Sequence, residues 1–204
     1  SPQSVKRERR LIEKDMASIR DMPITEISAP LLLEALRKLE RRGTVETAHR
    51  SRAHAGRVFR YAIATGRADR NPAADLAGAL EQPKTTHLAA LTEPTQIADL
   101  LKAIYAYQGS PVTIAALKLA PLFFVRPGEL RTARWADIDL DGAEWRYIAS
   151  KTQTPHIVPL ASQAISILRD LHPLTKRSEF AFPSIRGAKR PMSENTINVA
   201  LRTM

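Results

Sequence analysis

The stretch Val125-Arg126-Pro127-Gly128-Glu129-Leu130-Arg131 follows an apolar run, Ile114 to Val125, that predicts a buried helix. An arginine at the exit of such a helix, beside a Pro-Gly turn and a carboxylate, is costly to desolvate unless it is paired. A fold that aims a guanidinium out of its core needs an anion for it. Arginine suits phosphate because its planar fork binds two oxygens at once. Taken alone, the segment fits two readings equally. One is a phosphate-binding arginine supported by Glu129; the other is a helix-end Arg–Glu pair that is only structural.

Charge favours the first reading. The 204 residues carry a net charge of +10, and the pI is about 10.3. A polyanion, nucleic acid before anionic membrane, is the expected partner. The excess is uneven. The window 41–70 holds 8 Lys/Arg against 2 Asp/Glu, which matches the whole surplus of residues 1–80, 16 against 10. A basic face on one element follows. There is no cysteine, so disulfides, thiol catalysis and Cys-based zinc sites are excluded, and a reducing cytoplasm fits. No apolar run approaches a membrane span or a signal peptide. No His/Asp/Glu grouping has metal-ligand spacing, and no Gly-rich phosphate loop is present, so neither a metal nor a nucleotide cofactor is expected.

Outward from the arginine segment, the pattern predicts a mainly α chain with one small antiparallel three-stranded sheet, an α+β organisation. Val5 to Met22 reads as a charged amphipathic helix. A second helix begins at Ser28-Ala29-Pro30 and stops at Gly43. A third runs from Thr44 to Gly66, with Val45, Ala48, Ala55, Val58, Phe59, Ala62 and Ile63 as its core stripe. Its opposite surface carries Arg50, His54, Arg57 and Arg60, with Arg52 beside them, as DNA-binding candidates. The alternative is an ordinary solvated face, but such faces mix signs and this one hardly does. Asn71-Pro72 breaks the chain, and a short helical turn is expected at Ala73 to Leu76. Residues 83–90 read as a linker between a helical domain, 1–82, and a second domain, 91–204.

In that second domain Thr92 is expected to cap a helix ending near Tyr107, followed by helices at Val112–Val125 and Gly128–Arg134. Asp137–Leu140, Trp145–Ile148 and His156–Pro159 alternate as strands, with Asp141-Gly142 as a hairpin turn and Lys151–Thr154 as a polar loop. Ser162–Leu171 reads as a helix, Phe180–Pro191 as a basic loop containing Lys189 and Arg190, and Ser193 as the N-cap of a last helix. Lys151 on a hairpin tip is ordinarily a solvated charge; it becomes functional if it converges with Arg126 on one phosphate. His156, at the start of a strand, is ordinarily packed or solvated. Both ends read as cut: Ser1 is not an initiator methionine, and the last helix stops without a C-cap.

These motifs together resemble the tyrosine recombinase family in its phage and prophage integrase branch, over nearly the whole chain. Phe123-Phe124-Val125-Arg126-Pro127-Gly128-Glu129-Leu130-Arg131 with Trp135 and Asp139 resembles the segment of the first catalytic arginine. Lys151, five residues before His156-Ile157-Val158-Pro159-Leu160, resembles the hairpin lysine. Phe59–Ala62, Gly66 and Asn71-Pro72-Ala73 resemble the end of the core-binding domain. The resemblance implies a helical core-binding domain and the first part of a catalytic domain, two lobes that clamp double-stranded DNA. It implies attack by a tyrosine on a backbone phosphate to give a 3′-phosphotyrosine, without ATP or metal. Arg126 and Lys151 would be catalytic, with Glu129 and His156 supporting.

It also implies a tetramer on DNA for a full-length protein, in the bacterial cytoplasm at the nucleoid, and a monomer for this chain. Many family members have Thr-Gly where this chain has Phe123-Phe124. The second motif, His-x-x-Arg, and the nucleophilic tyrosine are expected beyond Met204, so the chain is expected to bind DNA and not to cleave it. A non-enzymatic DNA-binding module or repressor-like protein is the alternative; it leaves Arg126, Glu129 and Lys151 without a reason to co-occur.

Overall fold

The computed structural model describes residues 2–84 and 90–204. The chain divides into two compact units, Ser1–Leu88 and Ala89–Met204. Of the expected linker, residues 85–89 lie outside the described residues.

The first unit is helical. Helix α1, Pro2–Arg10, runs into a π-helical turn, Leu11–Asp15, and then into turns up to Met22, so the single helix expected over Val5–Met22 is not formed. The reason is spacing. Leu11 and Met16 are both buried and stand five residues apart, and Met16 N–H donates to Leu11 O at 2.9 Å to close the wide turn. Helix α2, Ala29–Arg41, starts as expected with Pro30 in its first turn and ends before Gly43 at φ 72°. It buries Leu32, Ala35, Leu36 and Leu39, one stripe at i, i+3, i+4, i+7.

Helix α3, Val45–Ala64, packs on α2 through Ala48, Ala55 and Phe59. Its buried line also takes in Ser51 and His54, whereas Val58 and Ile63, expected in the core, are 40% and 39% exposed. The small residues Ala48, Ser51 and Ala55 admit the α2 leucines, and that contact fixes the phase of the helix. After α3, residues 72–78 form successive turns instead of a helical turn. The Asn71 side chain accepts from Ala73 N–H at 3.1 Å, which competes with helix formation.

In the second unit, α4 spans Pro94–Ala106 with Glu93, not Thr92, at the N-cap position. Helix α5, Pro111–Phe123, is capped by Ser110, whose hydroxyl accepts from Thr113 N–H at 3.2 Å. Helix α6 is short, Pro127–Arg131. Strands β1, Ile138–Asp139, β2, Glu144–Ile148, and β3, Pro155–Pro159, form one antiparallel sheet in the order β1-β2-β3, as the alternation predicted. Its buried face places Trp145 and Val158 against Leu119, Leu130 and Leu168.

Helix α7, Ser162–Thr175, continues through Pro173 beyond the expected end at Leu171. Tertiary contacts hold that last turn: Thr175 is buried, and its hydroxyl accepts from Trp135 Nε1 at 3.1 Å. The expected loop Phe180–Pro191 contains a hairpin of β4, Pro183–Ser184, and β5, Gly187–Pro191. Phe182 and Met192 are buried at its base, and Met192 N–H donates to Phe182 O at 2.7 Å. The strand sequence between them does not alternate, so no strand signal precedes the packing. The last helix, α8, is Thr196–Arg202, preceded by a turn at Ser193 rather than capped by it.

Leu36 and Leu168 are fully buried, one in each unit's core. Leu36→Ala and Leu168→Ala are each expected to cost about 2–5 kcal/mol. Chemical denaturation monitored by circular dichroism checks this; a cost under about 1 kcal/mol at either site would mean that the helix is not packed there.

Candidate functional site

Helix α5 ends abruptly. Phe124 adopts the left-handed conformation, φ 51° and ψ 35°, and its N–H donates to Ala120 O at 3.1 Å. A residue with a Cβ pays about 1–2 kcal/mol for that conformation. The turn lets the next helix start at once, with Arg126 as N-cap and Pro127 in the first turn, where its missing N–H costs nothing. The Pro-Gly pair is thus the opening of α6, not a free turn. Thr132 closes the helix by donating its hydroxyl to Gly128 O at 2.8 Å.

Glu129, on this short helix, is the buried charge. It is 5% exposed, whereas the Arg126 side chain is 53% exposed. The fold buries the carboxylate and presents the guanidinium at the exit of α5. Arg126 Nη1 donates to Glu129 Oε1 at 2.9 Å, and Arg126 N–H donates to Oε2 at 3.2 Å. A third donor comes from β2: Tyr147 Oη donates to the same Oε2 at 3.0 Å. Burial opposes ionisation of Glu129, but the bonds from Arg126 and Tyr147 outweigh it and hold the carboxyl below its usual range. Burial, then the bond to Glu129, pushes the Tyr147 phenol up to about 12.

Tyr147 stacks on Trp145 at 4.5 Å and meets the edge of His156 at 5.3 Å. Arg126, Glu129 and His156 are therefore joined through Tyr147, a residue of the middle strand. Cross-strand pairing of Tyr147 with His156 follows from the hairpin register, but its bond to Glu129 is long-range and left no signal. A cavity of about 740 Å³ opens beside this group, lined by Glu129, Arg134, Trp145, Arg146, Tyr147 and His156 among others, without Arg126 or Lys151. Lys151 stands exposed on the turn between β2 and β3. Ala149 N–H donates to Thr154 O and Gln153 N–H to Ala149 O, both at 2.8 Å, so the turn carrying it is closed by backbone bonds.

In the first unit the basic residues of α3 do not share one open face. His54 is 7% exposed, which removes it from the expected DNA-contacting surface; burial, then the neighbouring Arg57 charge, lowers its pKa. The phase set by the α2 leucines carries His54 inward. Arg57 Nη2 lies 2.8 Å from both Glu8 Oε1 and His54 Nδ1. Arg52 is half-buried, and its Nε meets no acceptor among the described residues. Arg50 pairs with Glu46 at 3.0 Å one turn back, and Arg60 is exposed. Lys189 and Arg190 are exposed on β5. Among the described residues no group of three or more His, Cys, Asp or Glu could hold a metal ion, and no helix is long and apolar enough to cross a membrane.

Two lobes of this kind, with an arginine N-capping a short helix beside a three-stranded sheet, define a tyrosine recombinase fold. The chain belongs to the phage integrase family. Residues 1–79 match the phage integrase central domain, and residues 91–204 match the phage integrase family proper. It is 35% identical over 202 residues to the protein IntB of Escherichia coli strain K12, covering 92% of this chain and 51% of that protein. It is 36% identical over 195 residues to the integrase of Enterobacteria phage P4, covering 89% of this chain and 44% of that one. The chain thus spans about half the length of these relatives.

The fold also matches the crystal structure of a lambda integrase dimer bound to a COC′ core site. The TM-score is 0.75 at 21% identity, over 100% of this chain and 70% of that one. The same integrase as a tetramer bound to a Holliday junction gives 0.75 at 20% identity, over 100% of this chain and 59% of that one.

The site's electrostatics have measurable signs. Glu129 ionises more readily folded than unfolded, so its contribution to stability is full above the ordinary carboxylate pKa, about 4.3, and is lost as pH falls through the lower folded value. Glu129→Gln is expected to shrink the acid-induced loss of stability in that window; an identical acid limb would refute the ionised carboxylate. Ultraviolet titration should find one tyrosine with a midpoint of about 12, absent in Tyr147→Phe.

Proposed function

We propose that this chain is the DNA-binding and phosphate-activating part of a site-specific DNA recombinase, which integrates a phage or other mobile element through a 3′-phosphotyrosine intermediate. The observation that carries it is the Arg126 guanidinium, half exposed and anchored on the buried Glu129 carboxylate. A cation fixed by its back and open at its front is suited to an oxyanion. Arg126 holds the nonbridging oxygens of the scissile phosphate and stabilises the charge of the transition state. The nucleophilic tyrosine releases its phenolic proton to water as it forms the new O–P bond, the bond from phosphorus to the 5′-oxygen breaks, and Lys151 gives its proton to that leaving oxygen. The phosphodiester energy stays in the covalent link, so rejoining needs no ATP or metal. Glu129 positions Arg126, and Tyr147 and His156 back Glu129.

The nucleophile is none of the four tyrosines of this chain. Tyr147 donates its hydroxyl in a hydrogen bond to Glu129, Tyr105 lies under the Lys118 ammonium at 4.8 Å, Tyr61 is 65% exposed on α3, and Tyr107 ends α4. These 204 residues therefore bind duplex DNA as a monomer without cleaving it. The whole protein assembles as a tetramer on two DNA sites at the bacterial nucleoid, a reading supported by the lambda integrase tetramer on a Holliday junction. A suicide substrate that traps covalent DNA adducts tests this: the chain should give none, and an adduct lost in one Tyr→Phe variant would overturn the assignment.

Binding is expected to run through Arg50, Arg57, Arg60, Lys189 and Arg190. Arg60→Ala should weaken binding alike on unrelated duplexes and lower the slope of log K against log salt by about 0.9 or less. An unchanged slope removes Arg60 from the interface.

A further inference from the structure

Phe124 is 94% exposed, the highest value among the exposed large hydrophobic side chains of the described residues, and it sits at φ 51°. Both features work against the folded chain. The ring is left in water, and a bulky residue occupies a conformation suited to glycine. Within the described residues no aromatic or cation contact engages the ring. Strain and exposure that coincide on one residue point to a partner outside the fold.

What that partner is follows from position. Phe124 caps α5 and lies two residues before Arg126, with only the half-buried Val125 between them. Two residues span at most about 7 Å between Cα atoms. Along one strand of a duplex, successive nucleotides step about 3.4 Å. The ring and the guanidinium therefore leave the chain from neighbouring points, which places the ring beside the DNA strand whose phosphate Arg126 holds. Its exposed sequence neighbours are Pro121, Leu122, Arg126, Pro127 and Gly128, and of these only Leu122 is another large hydrophobic. One aromatic next to a cation is a poor protein-docking patch, which needs contiguous apolar area. It is a good match to a nucleotide, where an apolar sugar and base edge adjoin an anionic phosphate.

We propose that Phe124 is a second DNA contact of the Arg126 site, its ring packed against the sugar and base edge of a nucleotide flanking the phosphate that Arg126 holds. This rests on the DNA reading above. The contact is apolar, so it adds affinity without neutralising charge. The left-handed turn aims the ring, and binding recovers the burial that folding leaves out.

The test compares the 204-residue chain with Phe124→Gly, Phe124→Trp and Arg126→Ala. Anisotropy of a labelled duplex is measured over a salt series, together with thermal unfolding. Phe124→Gly is expected to bind about tenfold more weakly, as loss of one aromatic–base contact does. Its salt slope should be unchanged, whereas Arg126→Ala should lower the slope. Phe124→Trp should keep wild-type affinity. The midpoint of unfolding of Phe124→Gly should equal or exceed the wild-type value, because strain is relieved and no packing is lost.

Wild-type affinity in Phe124→Gly overturns the proposal. So does a midpoint lowered by several degrees, which would place the ring against protein. If the wild-type chain binds no duplex at low salt, the DNA reading itself fails, and the proposal with it. If the wild type binds and Phe124→Gly binds equally, only the proposal fails.

Discussion

The buried carboxylate of Glu129 is the interaction on which the second unit turns. Three donors converge on it: the Arg126 guanidinium, the Arg126 backbone N–H and the Tyr147 hydroxyl. Each comes from a different constraint. The backbone bond fixes the start of α6, the guanidinium bond orients Arg126, and the hydroxyl bond ties α6 to the middle strand of the sheet. Leaving a buried charge without its partner costs about 3–5 kcal/mol. The protein therefore holds the Arg126 side chain in place with a cost that acts on Glu129, on the inner side. The outer side of the guanidinium needs no internal partner and is left for solvent or an anion.

The first unit uses charge differently. Its arginines are paired at the surface, Arg57 with Glu8 and Arg50 with Glu46, and both partners in each pair are about half exposed or more. Exposed pairs of this kind are worth roughly 0–1 kcal/mol. A phosphate track releases counterions and competes easily with them. The pairs hold the side chains without committing them, whereas the anchored Arg126 has one permitted direction. Under the proposed function, a unit that grips DNA of varied sequence and a unit that meets one phosphate in one geometry would ask for these two arrangements.

Local signals made most of the fold legible. Ser28 with Pro30, Gly43 and Gly66 bound α2 and α3, and the alternation around Trp145 and His156 drew the sheet with its turns. Two misses were local, the wide turn that joins Leu11 to Met16 and the Asn71 side chain that bonds Ala73; the others come from long-range packing. The phase of α3 was set by the α2 leucines, which turned His54 inward and Val58 outward. The hairpin Pro183–Pro191 forms because Phe182 and Met192 clamp its base, across residues with no alternation. At the site, Arg126, Glu129 and Lys151 were visible as motifs. Which member of the Arg126–Glu129 pair is buried was not, because spacing along a helix does not say which end faces the core. Tyr147 was visible only as a strand residue, since its role depends on a contact eighteen positions away in the chain.

Backbone strain gives a second view of the same design. Three non-glycine residues have positive φ among the described residues: Phe124, Ala143 and Gln153. Two lie beside the candidate catalytic cations, Phe124 before Arg126 and Gln153 in the turn that carries Lys151. The third has a local explanation. Ala143 closes the β1–β2 turn, where Asp139 accepts from the N–H groups of Asp141 and Gly142 at 3.0 and 2.7 Å, and hairpin turns of this length use one left-handed residue. Gln153 has a similar excuse, since its N–H closes back on Ala149. Only at Phe124 does the strain combine with a large apolar side chain left in water. An outlier alone marks a turn; an outlier that also forgoes burial, two residues from an anchored cation, marks a surface shaped for something that the chain itself does not supply.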